Sequence, residues 1–226
     1  MDINLHYIEK GTGFPLVLLH GNGESAQYFD RQIDAFARHY RVIAVDSRGH
    51  GQSPRGAGHF KLSRFAEDLK LFLDGLGIQQ THLLGFSDGG NIALLFALRY
   101  PAFVARLVLN GANLSPFGLK PFVLLPIALS WCLASLLSPV SKKSVIKRDF
   151  MALMLFEPNI CPTALQKLQM PVLVIVGSRD MIRQRHTATM CRHLPRGVLT
   201  IVDGSHFIAQ ENSAAFNDAV LTFLSG

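Results

Sequence analysis

The sequence predicts an α/β architecture, a mostly parallel central sheet flanked by helices and interrupted by a short helical lid. Two observations carry this. Short apolar runs recur along the chain, at Leu16-Val17-Leu18-Leu19, Val42-Ile43-Ala44-Val45, Leu83-Leu84-Gly85, Leu107-Val108-Leu109, Val172 to Val176 and Leu199-Thr200-Ile201-Val202. Helix-period segments lie between them, one of which sets Leu62, Phe65, Leu69, Phe72 and Leu76 on a single face. Continuous apolar strands imply burial on both faces, and strand–helix alternation implies parallel pairing through right-handed crossovers. With 226 residues, 49% hydrophobic and 17% charged, the chain is long enough to bury one core, and a single folded domain is expected.

The rhythm breaks between Ser115 and Cys161. No strand signal appears there, and Phe122 to Leu137 is almost wholly apolar between Pro121 and Pro139. Such a run reads either as a membrane span or as an apolar cover on the domain. Pro126 interrupts it and strands of one sheet lie on both sides, so an inserted lid is expected: core at residues 1–114 and 162–226, lid at 115–161.

The net charge of +6 comes from scattered basic residues. They form no aromatic-interleaved stripe, which argues against a nucleic-acid partner. Three cysteines, Cys132, Cys161 and Cys191, contain no Cys-x-x-Cys pair and leave one over, so neither a disulfide framework nor a zinc site is expected. The opening residues Met1 to His6 lack the basic and apolar regions of a signal peptide. A reducing, cytoplasmic setting is the expectation.

Gly85-Phe86-Ser87-Asp88-Gly89 follows one apolar run and precedes the helix-like Asn91-Ile92-Ala93-Leu94-Leu95. Small residues around the serine let the chain turn sharply from strand to helix, which lifts the hydroxyl above the sheet edge at a helix N-terminus. Ser87 is thus the candidate nucleophile. In such an elbow an oxyanion is held by the amide after the nucleophile and by one from an early strand-to-helix loop. Asp88 N–H and Asn22 N–H, the latter in His20-Gly21-Asn22-Gly23-Glu24-Ser25, are the candidates.

These segments, with the loop Asp46-Ser47-Arg48-Gly49-His50-Gly51-Gln52-Ser53, resemble the α/β-hydrolase superfamily over nearly the whole chain except the lid. The resemblance implies a scaffold and cleft-wall role for the Asp46 to Ser53 loop. A serine needs an adjacent imidazole to take its proton. His206 lies just after the last strand, and the resemblance implies that this is the catalytic histidine, in the chain order Ser, Asp, His. His6, His39, His59, His82, His186 and His193 sit in strand or helix surroundings and are assigned to surface or packing roles. The acid that orients the imidazole is assigned to Asp180, after the run ending at Val176. Asn110-Gly111-Ala112-Asn113 offers no acid after the preceding strand, and Asp203 reads as a turn residue.

The expected chemistry is hydrolysis of a small-molecule carboxylic ester through an acyl-enzyme, with no cofactor and no metal. Phe86, Trp131 and Phe207 are the candidate substrate contacts, and the apolar lid, with Phe117, Phe122, Leu124, Leu125 and Leu133, points to an apolar acyl group. Asp88 offers a carboxylate to a substrate ammonium. There the segment from Gly85 to Gly90, with Asn110 to Asn113, locally resembles amino-acid-ester hydrolases of the valacyclovir hydrolase kind. Thioester, amide or carbon–carbon hydrolysis and perhydrolysis reuse the same residues, and a non-catalytic binding protein of this fold is the competing class. Lys120, Lys142, Lys143, Lys147 and Arg148 flank the lid, so peripheral contact with anionic lipid is a further possibility. The oligomeric state is not written in any of these motifs.

Overall fold

The computed structural model describes residues 2–58 and 60–226; Met1 and the packing role assigned to His59 lie outside them. In chain order the elements are β1 (Tyr7–Lys10), β2 (Pro15–Leu19), α1 (Asp30–Phe36), β3 (Arg41–Val45), α2 (Leu62–Gly75), β4 (Thr81–Phe86), α3 (Asp88–Arg99) and β5 (Val104–Asn110). They continue with α4 (Pro121–Leu137), α5 (Lys142–Phe156), β6 (Val172–Gly177), α6 (Gln184–His193), β7 (Gly197–Val202), α7 (Ile208–Glu211) and α8 (Ser213–Ser225). The strands form one sheet in the order β1-β3-β2-β4-β5-β6-β7. Every neighbouring pair is parallel except β1 with β3.

The apolar runs become strands because their β-branched and leucine side chains are buried on both faces of the pleat. Val17, Ile43, Leu83 and Leu107 point to one face, packed by α2 and α3. Leu16, Leu18, Val42, Leu84 and Val108 point to the other, packed by α1 and α8. The predicted face of Leu62, Phe65, Leu69 and Phe72 is the buried side of α2.

Three expectations change at the periphery. β1 has no apolar run to announce it; it is a four-residue antiparallel edge strand whose side chains are half-buried or exposed. Burial on both faces fails for β7, where Val198, Leu199 and Ile201 are exposed because it is the last strand of the sheet and pairs with β6 alone among the described residues. Pro126 does not interrupt α4; it sits inside the helix on an exposed side, where the lost N–H leaves a carbonyl that water can reach. Among the described residues no helix is long and apolar enough to cross a membrane.

Between β5 and β6 the chain makes the two-helix excursion α4–α5, in which α5 starts from a Ser141 cap whose Oγ accepts Ser144 N–H at 3.3 Å. Below it the loop after β3 is locked by charge. Asp46 accepts Ala26 N–H at 2.7 Å, Gln52 N–H at 2.8 Å and His6 Nδ1–H at 2.8 Å. Burial alone would raise the Asp46 carboxyl, but these donors outweigh it and hold it below the ordinary range. Arg48, 1% exposed, donates two bonds to Asp68, from Nε at 2.6 Å and Nη2 at 2.8 Å.

Arg48 also donates to Asp2, from Nη1 at 3.1 Å and Nη2 at 2.5 Å, so removing Asp68 takes away its buried partner and leaves it a partly exposed one. Asp68→Ala is expected to lower unfolding free energy by about 3 kcal/mol, the low end for breaking a buried pair. In urea titrations the Asp68→Leu/Arg48→Met double variant should be more stable than either single change.

Candidate active site

β4 ends at Phe86 and α3 begins at Asp88, so Ser87 alone reverses the chain. It takes φ 53° and ψ −120°, and it is the one non-glycine residue with positive φ among the described residues. The surroundings over-determine this conformation. Ser87 N–H donates to Asn110 O at 2.8 Å, and Ser87 O accepts Asn91 N–H at 3.0 Å. Glycine is demanded on both sides by space: a Cβ on Gly85 would stand 2.2 Å from Gly89 O, and one on Gly89 2.2 Å from Leu19 O. The helix can therefore start against β2 and β4, with Ser87 Oγ at the carboxyl edge of the sheet.

Ser87, His206 and Asp180 meet there. Ser87 Oγ donates to His206 Nε2 at 3.0 Å, and His206 Nδ1–H donates to Asp180 Oδ1 at 2.8 Å. Asp180 Oδ1 also accepts Ile182 N–H at 2.8 Å, while Lys120 Nζ donates to the Asp180 carbonyl at 2.6 Å. Burial would raise the Asp180 carboxyl; the His206 hydrogen bond and charge, with the Ile182 amide, overcome it and leave the group below its usual value. Asp203 is turned away, exposed and paired with Arg179 Nη1 at 2.9 Å.

Asp88 follows Ser87 directly, and Asn22 lines a small space beside Asp88. Asp88 is the first residue of α3, so its N–H has no acceptor within the helix. The loop before Asn22 is pinned: Gly21 N–H donates to Glu24 Oε2 at 3.0 Å, and Gly21 O accepts His20 Nδ1–H at 2.7 Å. The Asn22 side chain reaches α5, donating from Nδ2 to Phe150 O at 2.7 Å. His50 stacks on the Phe150 ring at 4.5 Å, and Arg55 pairs with Asp149, so the middle of α5 is fastened to the loops below it.

The cleft over Ser87 is walled by Asp88, Asn113, Leu119, Met154, Glu157, Met181 and Ile182, and its free volume is about 10 Å³, roughly the space of one water molecule. None of the three expected substrate contacts is in that wall. Phe86 lies beneath, stacked on Tyr28 at 4.2 Å and behind the His206 ring at 4.9 Å. Trp131 packs edge-on against Phe156, and Phe207 is a partly exposed neighbour of His206. Of the apolar side chains expected in a lid, Phe122, Leu125 and Leu133 point to solvent because α4 rests on the outside of α5, and Phe117, in the turn before α4, is exposed as well.

Sequence reading missed Glu157, Met154 and Met181, which carry no motif and arrive through the packing of α5 and the turn after β6. It also missed the space-keeping role of Gly111. That residue has φ +61°, and a Cβ there would stand 2.6 Å from His206 Cε1. Three other histidines serve the packing. His20 is held neutral, near pKa 4, chiefly by burial, and its Nε2 accepts Ser47 N–H. His186 Nε2 accepts Leu114 N–H at 2.8 Å, and His82 packs between Phe14 and Tyr40. Among the described residues no group of three or more His, Cys, Asp or Glu side chains is arranged to hold a metal ion.

The family model described as alpha/beta hydrolase fold matches residues 15–129. The chain belongs to the α/β-hydrolase family. A 2-hydroxy-6-oxononadienedioate/2-hydroxy-6-oxononatrienedioate hydrolase of Paraburkholderia phymatum is 44% identical over 131 residues, 55% of this chain and 45% of that protein. The chain thus spans less than half the length of such curated relatives. In three dimensions it superposes on the enol-lactonase of Burkholderia xenovorans LB400 with a TM-score of 0.83 at 21% identity, covering 99% of this chain and 97% of that one. A thermophilic esterase from Thermogutta terrifontis gives a TM-score of 0.80 at 23% identity over 99% and 93% of the two chains. At these identities the likeness is one of fold.

This α/β-hydrolase keeps one carboxyl beside Ser87 under electrostatic pressure. Asp88 is 7% exposed, its Oδ1 accepts Asn91 Nδ2–H at 3.1 Å and its Oδ2 has no partner. Burial pushes it up to about 6, with the nearby Glu157 adding in the same direction. A carboxyl raised in the folded state contributes stability that is full below its unfolded value, near 4, and lost as pH rises through about 6. Relative to Asp88→Asn, the wild type should therefore lose about 2–3 kcal/mol between pH 4 and pH 7, read from paired urea titrations. Gly111→Ala should push the His206 ring off Ser87 and slow fluorophosphonate labelling of Ser87 about a hundredfold, while the fold survives a left-handed-backbone cost of about 1–2 kcal/mol in thermal melts.

Proposed function

We propose that this α/β-hydrolase is a serine hydrolase that cleaves carboxylic esters of small to medium apolar acids through an acyl-enzyme. The observation that carries the reading is the unbroken relay of hydrogen bonds from Ser87 through His206 to Asp180. As Ser87 Oγ attacks the carbonyl carbon, His206 Nε2 takes its proton and then gives it to the departing alkoxide. Asp180 holds Nδ1–H and stabilises the imidazolium. The oxyanion is received by Asp88 N–H and Asn22 N–H, each contributing on the order of a hundred- to a thousandfold in rate. Water, deprotonated by the same imidazole, then releases the acid.

Residues 115–161 act as the lid in this scheme. A volume of about 10 Å³ over Ser87 admits no acyl chain, so α5, which contributes Met154 and adjoins Glu157, must shift before substrate enters. Leu119, Met154, Met181 and Ile182 form the apolar wall that receives the acyl group, in place of Phe86, Trp131 and Phe207. Each methylene buried there contributes about 0.8 kcal/mol.

A second reading is favoured by the Paraburkholderia relative. The dienedioate in its name carries a ketone and no ester, so its hydrolysis breaks a carbon–carbon bond. Against that substrate here stands the charge of the cleft: Asp88 and Glu157 in the wall suit a neutral or cationic molecule better than a dianion. The unpartnered Asp88 Oδ2 supports a narrower version of the ester reading, in which a substrate ammonium sits beside the reacting carbonyl.

A fluorophosphonate probe should label Ser87 stoichiometrically, and His206→Ala should abolish the labelling; an inert serine would mean a binding protein. In steady-state assays, p-nitrophenyl esters from acetyl to laurate should turn over faster than the dienedioate. A free amino-acid ester should exceed its N-acylated twin in kcat/KM if Asp88 holds the ammonium.

A further inference from the structure

The outer side of α4 is bare. Phe122, Leu125, Leu129, Leu133 and Leu136 fall on one face at helical spacing, and Val140 continues it past the helix end. Each of these side chains is more than half exposed, from 56% for Leu133 to 84% for Val140. The opposite side of α4 packs on α5, with the Trp131 ring edge-on to Phe156. A continuous apolar stripe of this kind on a water-facing helix marks a surface that something else covers.

The charges beside the stripe narrow what that is. Lys142, Lys143 and Lys147 begin α5 directly after Val140, are exposed, and make no ion pair among the described residues. The one carboxylate on α4 or α5, Asp149, is taken by Arg55 and Arg148. Lys120 is not part of this rim, because its ammonium is committed to the Asp180 carbonyl. A second copy meeting this face would bring lysines and no carboxylate to balance them. An anionic bilayer offers both requirements together, acyl chains for the leucines and phosphates for the lysines.

We propose that α4 docks in the plane of an anionic membrane surface, its leucine stripe at the boundary of headgroup and acyl chain and Lys142, Lys143 and Lys147 on lipid phosphates. The helix lies on the bilayer and does not span it, for it has 17 residues, with Pro126 inside. The docking is independent of the chemistry at Ser87.

Flotation of the full chain with vesicles tests this. Binding is expected to phosphatidylcholine vesicles containing about a third phosphatidylglycerol, at least about tenfold weaker to phosphatidylcholine alone, and weakened by about 0.5 M salt. The double variant Leu129→Glu/Leu133→Glu should lose vesicle binding at least about tenfold while keeping its melting temperature and its Ser87 labelling rate. Lys142→Glu/Lys143→Glu should lose the preference for anionic lipid. Wild type that stays in solution with anionic vesicles overturns the proposal, as does binding unchanged by the glutamates. So does a stable dimer in sedimentation velocity that the glutamates dissociate without any lipid binding, which would make the face a contact between copies.

Discussion

The structure depends on how closely three backbones pass at the end of β4. Gly85, Gly89 and the carbonyls of Leu19 and His20 approach within distances that leave no room for a side chain. Ser87 must then take a conformation that residues with a Cβ avoid. That strain is held by the central strands β2, β4 and β5, which are nearly wholly buried and whose registers run regularly from His82 up to the elbow, after one shift at the start of β4. The rigid sheet thus fixes the position of one hydroxyl to within the tolerance of a hydrogen bond. The loops after β6 and β7 need only bring an acid and an imidazole to it.

Electrostatics around that hydroxyl divide the acids by environment. Asp180 gains an imidazole and an amide and stays ionised, whereas Asp88 and Glu157 are pushed upward mainly by burial. Glu24, beneath the Asn22 loop, is raised to about 7 for the same reason. One carboxylate is thereby held firmly charged on the far side of the imidazole, while those nearer the cleft carry their charge at a cost that a cationic partner would relieve.

Much of this was legible in the sequence because it is carried by local chemistry. The six apolar runs are long enough to demand burial, and the glycines around Ser87 have no other use than close approach. The meeting of Ser87, His206 and Asp180 was legible through their places after β4, β7 and β6 and through the family resemblance. What escaped reading is what packing decides. β1 is too short and polar to signal itself, β7 is apolar without being enclosed, and Trp131 faces α5 because α4 lies outside it. Substrate contacts were expected at Phe86, Trp131 and Phe207; beside Asp88 and Asn113, the cleft wall holds two methionines, a leucine, an isoleucine and Glu157, and none of these five stands out in a string of letters.

The bond from Asn22 to the Phe150 carbonyl ties a cover to the loop it covers. In the proposed reaction Asn22 also supplies an amide to the oxyanion, so lifting α5 releases one restraint on a donor the chemistry uses. A small acyl group that lets α5 settle again finds that donor in place. A bulky one holds the helix up and leaves the amide loose, so that discrimination by size would register in the speed of acylation and hardly at all in how tightly the substrate is held.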